Sequence, residues 1–260
     1  MRNYGLTRAK PGTYEGLYLI TSDIVATRAE LLSREVDVSE PFHFGPKGRT
    51  PGLHPERADE LPPEEVGPFM CAGVTVYNAL RNSGARGGHV VAVLGIGGLG
   101  HFGVQYARRM GFVTVALGRG TDMQRLAEKL GAHHYFDTNS GDTVAKLQKL
   151  GRARIILATA PNAKAISALV EGLSPDGKLL IPAAPNEPLI IPMTPLIAGR
   201  TSVAGWYCGT AKDSQDALEF SGLSDVHPMV EKYPFTEVAA AYEQMRSGRA
   251  RFRAVLMMEN

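Results

Sequence analysis

Gly95-Ile96-Gly97-Gly98-Leu99-Gly100 has the residue types and spacing of a phosphate cradle. Gly95 permits a tight turn, Gly97 lets a pyrophosphate reach the backbone, and Gly100 lets a following helix pack close to its strand. The unpaired N–H groups at Gly98, Leu99 and the first helical turn then face the anion. Downstream, Gly118 and Arg119 stand where sheets that read a ribose 2′-hydroxyl place Asp or Glu, about 20 residues after the glycine turn. A carboxylate there repels a 2′-phosphate, whereas Gly118 leaves room and the Arg119 guanidinium can bind it bidentately. The pair favours NADP(H) over NAD(H). The plainer alternative is Arg119 as an exposed loop charge.

The elements around these residues suit that chemistry. Residues 89–94 form an apolar run of strand length, and Leu99, Phe102, Tyr106 and Met110 follow at helical spacing, so the glycines sit where a strand turns into a helix. Further strands are expected at 112–117, 134–137, 154–159, 178–181 and 202–206. Helices are expected to begin near Gly98, Asp122, Asp142, Ala163 and Thr194. This alternation predicts an α/β fold, a doubly wound parallel sheet of Rossmann type with its ligand across the carboxyl ends of the strands. A single helix is expected over 63–82, with Pro62 and Pro63 as start signals and Glu64 and Glu65 in its first turn. After Trp206 the pattern gives one helix, 236–247, and one strand, 252–257. Upstream it gives a strand at 16–20, a short helix at 28–32 capped by Thr27, and an aperiodic loop over 39–63.

Composition narrows the partner. The chain has 260 residues, 44% of them hydrophobic, and a net charge of +2 with acids and bases interspersed, so neither nucleic acid nor a membrane surface is an expected partner. No run approaches the roughly 18 apolar residues of a membrane span, and no signal-peptide core follows Arg2 and Arg8. Its two cysteines, Cys71 and Cys208, lie outside any CxxC pair, which points to a reducing, cytoplasmic setting and offers no closed cysteine zinc site.

The run Phe69-Met70-Cys71-Ala72-Gly73-Val74-Thr75-Val76-Tyr77-Asn78-Ala79-Leu80, the glycine turn with His101, and Tyr106-Ala107-Arg108-Arg109-Met110-Gly111 resemble the medium-chain dehydrogenase/reductase superfamily. Within it the likeness is to zinc-type alcohol dehydrogenases. Leu130-Gly131-Ala132, Gly177-Lys178-Leu179-Leu180 and the closing stretch from Gly248 through Arg253 to Leu256 continue the match, over residues 61–258. The resemblance implies three parts: residues 1–62 as a short, divergent remnant of the catalytic domain, 63–227 as the dinucleotide-binding domain, and 228–260 as a helix and strand completing the catalytic region. It also implies Thr75 beside the nicotinamide, as a catalytic and cofactor-binding residue, and Arg253 near the pyrophosphate. Thr75 lies four residues after Cys71, so on a regular helix both face one side.

Cys71 matches one zinc ligand of that family. The Gly-His-Glu stretch, the four-cysteine cluster and the early cysteine ligand are absent, and Ile20 stands where the last might be. A catalytic zinc takes about three protein ligands, so Cys71 alone does not hold one and stoichiometric zinc is not expected. His43 and His54, with Glu56 nearby, are the candidates to complete a site; their plainer reading is as solvated loop residues, and that of Cys71 is as a buried thiol. Ser22 falls where the family often has a relay hydroxyl. Arg249 and Arg251 alternate with Arg253 as if on one strand face. His133 and His134 read as structural. Trp206 and Tyr207 either wall the substrate pocket or pack in the core.

The resemblance implies an NADP(H)-dependent oxidoreductase interconverting a small-molecule alcohol and an aldehyde or ketone; self-association is left open. The shortened N-terminal region supports an alternative, a catalytically impaired dinucleotide-binding protein. A third reading takes residues 1–60 as the product of a truncated or frame-shifted gene.

Overall fold

The computed structural model describes residues 19–20, 24–34, 42–45, 48–51 and 62–258. The amino-terminal elements are β1 (Leu19–Ile20), α1 (Ile24–Ser33) and an antiparallel hairpin of β2 (Phe42–Gly45) and β3 (Gly48–Pro51). Helix α2 (Pro63–Pro68) runs through a π-helical turn, Phe69–Gly73, into α3 (Val74–Arg81). Strands and helices then alternate: β4 (Val90–Leu94), α4 (Gly100–Arg109), β5 (Val113–Gly118), α5 (Gln124–Lys129), β6 (His134–Asp137), α6 (Thr143–Lys149), β7 (Ala153–Ala158), α7 (Ala163–Leu169), β8 (Leu173–Ile181), α8 (Met193–Gly199) and β9 (Ser202–Gly205). Helix α9 (Ala211–Ser224), β10 (Val230–Pro234), α10 (Val238–Arg246) and β11 (Arg253–Met257) complete the order.

The six-stranded sheet has the order β6-β5-β4-β7-β8-β9 and is parallel throughout. Strand order reverses between β4 and β7, so the crevice at their carboxyl ends is the switch point where such sheets take ligands. The central strands read as continuous apolar runs because helices cover both faces. On one face Val91, Ile155 and Leu157 pack with Phe69, Tyr77, Leu80, Phe102 and Tyr106. On the other, Ala92, Leu94, Leu117 and Ile156 pack with Leu147, Ile166 and Leu169. A second, smaller sheet, β1-β11-β10, is also parallel.

Several expectations are corrected. The single helix over 63–82 is interrupted, because Pro68 lies inside it without an N–H to continue the ladder and the next turn opens to π geometry. Helix α1 begins at Ile24, so Thr27 is an interior residue and not its cap. The loop expected over 39–63 contains the β2–β3 hairpin. Helix α9 and strand β10 were not expected at all. The only wholly buried residues of α9 are the small Ala217 and Ser221, so no stripe of large apolar side chains marks it. Strand β10, Val-Glu-Lys-Tyr-Pro, lies at the edge of the small sheet and carries charge. Among the described residues, no helix is long and apolar enough to cross a membrane.

Candidate functional site

The glycine turn lies between β4 and α4, at the carboxyl end of β4. Gly95 adopts φ +89°, a conformation open to glycine, and a Cβ there would approach the Ala160 Cβ to 2.8 Å. A Cβ on Gly100 would overlap the Gly95 carbonyl oxygen and come within 2.9 Å of the Thr159 hydroxyl, which donates to the Leu94 and Gly95 carbonyls at 2.8 and 3.1 Å. A Cβ on Gly97, by contrast, would meet nothing within 4 Å. Two of these glycines are required by the turn itself, and the third faces open space. Among the described residues, the amides of Gly97, Gly98 and Leu99 make no hydrogen bond to a backbone carbonyl, which leaves them for an anion at the head of α4.

Arg253, the first residue of β11, reaches this turn from the small sheet. Its Nη2 donates to the Gly98 carbonyl at 3.0 Å, and a Cβ on Gly98 would touch the guanidinium at 2.8 Å. The half-buried guanidinium therefore adds positive charge to the amide cluster. Arg249 and Arg251 do not share its strand face. They precede β11 and are exposed, and Arg251 donates to the carbonyls of Gly248, Arg249 and Ala250.

His101 was overlooked as a site residue in the sequence reading, although it follows the glycine motif directly. It is fully buried, with Nδ1 2.9 Å from the Gly97 carbonyl oxygen and Nε2 accepting the Met229 amide at 3.2 Å. Burial pushes its pKa down to about 4, so the ring is neutral.

At the carboxyl end of β5, Gly118 is buried and Arg119 is exposed, making no ion pair among the described residues. A Cβ on Gly118 would overlap the Tyr135 hydroxyl and lie 3.0 Å from two ring carbons. Tyr135 donates to the Gly120 carbonyl at 2.7 Å, and the Asp137 carboxylate accepts the Gly120 amide, also at 2.7 Å.

Cys71 lies in the π turn and Thr75 at the start of α3. Cys71 is exposed, correcting its reading as a buried thiol, while Thr75 is 6% exposed and donates its hydroxyl to the Cys71 carbonyl at 2.6 Å. The Thr75 hydroxyl thus reaches back one turn to the Cys71 backbone, and the two side chains differ in exposure. Among the described residues, no group of three or more His, Cys, Asp and Glu is placed to hold a metal. His54, Glu56 and Ser22 lie outside the described residues, as does the side chain of His43. The described residues thus fit a dinucleotide at the glycine turn and provide no zinc ligand set.

The remaining candidates lie in different settings. His133 accepts the Thr114 amide through Nδ1 at 2.9 Å and also contacts Arg108, and burial lowers its pKa, assisted by Arg108 and His134. His134 opens β6. Trp206 packs against the cluster containing Phe69 and Tyr77, whereas Tyr207 is 94% exposed.

Comparison with known proteins identifies the family. A family model described as zinc-binding dehydrogenase matches residues 98–222. Alcohol dehydrogenase notN of Aspergillus sp. is 42% identical over 192 residues, which is 74% of this chain and 56% of that protein. The structure of cinnamyl alcohol dehydrogenase from Sorghum bicolor superposes with a TM-score of 0.67 at 29% identity, covering 76% of this chain and 56% of that one. A structure of CAD from Helicobacter pylori complexed with NADP(H) superposes with a TM-score of 0.64 at 27% identity, covering 75% and 55%. The chain belongs to the medium-chain dehydrogenase/reductase superfamily and within it is similar to the zinc-type alcohol dehydrogenases. It spans just over half the length of the relatives it matches.

Proposed function

We propose that this chain binds NADP(H) across the carboxyl ends of β4 and β5 and acts as an oxidoreductase on a small alcohol or its aldehyde or ketone. The observation that carries the reading is the meeting of the glycine turn, the α4 amides and Arg253 at one point of the sheet. Gly97 leaves the backbone open to a pyrophosphate, the amides donate to it, and Arg253 balances its charge. Arg119, exposed and with no carboxylate at position 118, is available to a 2′-phosphate. Resemblance to the superfamily supports Thr75 at the nicotinamide end, and its hydrogen bond to the Cys71 carbonyl fixes the hydroxyl's orientation.

When bound, the nicotinamide supplies hydride transfer to or from the substrate carbon. The chain's part is to hold the dinucleotide in one register. The alcohol dehydrogenase names of the relatives support the substrate class, and the Helicobacter pylori complex supports the cofactor. The free cysteines Cys71 and Cys208 suit a cytoplasmic setting. The reading divides the chain at residues 62 and 227, with 63–227 as the dinucleotide-binding domain.

Following NADPH absorbance with a panel of aldehydes and ketones tests the proposal. Turnover with NADPH that exceeds turnover with NADH is expected. NADPH binding without turnover of any carbonyl would instead make the chain a dinucleotide-binding protein.

A further inference from the structure

Strands β5 and β6 pair in parallel with Ala116 opposite Tyr135 and Gly118 opposite Asp137. This register places the Tyr135 ring beside the backbone of Gly118, in the space that any side chain at position 118 would need. The ring is not free to swing aside at no cost. It packs with Val93, Val104, Ala116 and Ala127, and its hydroxyl is anchored on the Gly120 carbonyl at 2.7 Å. The same short loop is fastened at two further points. Asp137 accepts the amides of Gly120 and Asn139 at 2.7 and 2.8 Å, and the Thr138 hydroxyl donates to the Gly118 carbonyl at 3.1 Å. Burial, then the carboxylates of Asp137 and Asp122, raise the Tyr135 pKa and keep its hydroxyl a donor.

We propose that Tyr135 is a specificity-determining residue for the cofactor: its ring fills the space beside Gly118 and its hydroxyl holds the Gly118–Gly120 backbone, barring an acidic side chain from the position that would read a 2′-hydroxyl. The inference rests on the NADP(H) reading of the site. Glycine at position 118 is then a steric consequence of its neighbour as well as an absence of charge. Tyr135 acts through Gly118 and Gly120, as a positioning residue, and does not itself need to touch the nucleotide. Exchanging Gly118 alone should therefore fail to redirect the cofactor, because the new side chain displaces the tyrosine before it reaches a ribose.

The test uses the full chain with Gly118→Asp, Tyr135→Ala and the double variant, together with Gly118→Ala as a control without charge and Tyr135→Phe as a milder relief. NADPH and NADH affinities are read by nucleotide fluorescence, and Tm by thermal unfolding without nucleotide. Gly118→Asp alone should lose NADPH binding, gain no NADH binding and unfold at lower temperature. The double variant should bind NADH at least about tenfold more tightly than Gly118→Asp and recover part of the lost Tm. Gly118→Ala should likewise lower Tm in the presence of Tyr135 and less so with Tyr135→Phe. A Gly118→Asp protein that binds NADH as well as the double variant does, or Tm losses that simply add, would overturn the inference while leaving NADP(H) binding intact. A native chain that binds neither nucleotide would overturn the functional reading, and the inference with it.

Discussion

His101 accepts the Met229 amide through Nε2 at 3.2 Å, an atom 128 residues away in sequence, while its Nδ1 meets the Gly97 carbonyl at 2.9 Å. Since Nε2 is the acceptor, Nδ1 carries the proton and donates to Gly97. Met229 in turn accepts the Phe252 and Arg253 amides through its carbonyl, at 3.0 and 3.1 Å. One buried ring thus links the glycine turn to the segment that delivers Arg253 onto Gly98.

This link gives stability a pH dependence of definite sign. The folded-state pKa of His101 is about 4 and burial is its main cause, against about 6.5 for an unfolded histidine. Between those values the unfolded chain binds the extra proton, so the contribution is complete above pH 6.5 and lost as pH falls toward 4, by roughly 3 kcal/mol. His227 works in the opposite sense, because Glu65 and then Asp225 raise its pKa. Urea unfolding of the native chain and of His101→Gln, compared at pH 7 and pH 4.5, isolates the buried ring. The gap between them should shrink at the lower pH, and a constant gap would contradict the account.

Removing Arg253 should weaken both nucleotides alike, since the guanidinium meets the turn and not the 2′-substituent. Arg253→Ala is expected to cost about 1.5 to 3 kcal/mol, or roughly ten- to a hundredfold in affinity, for NADPH and NADH together. Isothermal titration with each nucleotide checks this, and a loss confined to NADPH would assign Arg253 a different role.

The glycines of the turn divide into two kinds, which substitution should separate. Gly97→Asp puts a carboxylate into open space, so the protein should fold with a near-native Tm and fail to bind NADPH. Gly100→Ala forces a methyl group into the Gly95 carbonyl, so the fold itself should suffer, with a Tm lowered by several degrees. Circular dichroism melts beside fluorescence titrations decide it. Equal Tm losses in the two variants would show that Gly97 is structural.

The alternating apolar runs made the parallel sheet legible, because strands covered on both faces need no polar positions. The glycine motif was legible for the same local reason, as strand, turn and helix are contiguous. Long-range relationships were not. Nothing in the sequence around Gly118 announces that Tyr135, 17 residues later, fills its side-chain space. Likewise, the helical spacing of Cys71 and Thr75 gives no warning of the π turn, although Pro68 hints at a break. Helix α9 was missed despite the Thr210 and Asp213 capping box, because its buried positions are small.

The central claim is that Gly118 and Arg119 make the nucleotide site one for NADP(H). Side-by-side fluorescence titration of the native chain and Arg119→Ala with NADPH and NADH tests it most directly. The account predicts tighter NADPH than NADH binding in the native chain, and a loss of about tenfold or more for NADPH alone in Arg119→Ala, as expected for a charge-assisted contact to phosphate. Tighter binding of NADH by the native chain, or an Arg119→Ala protein with unchanged preference, would contradict it.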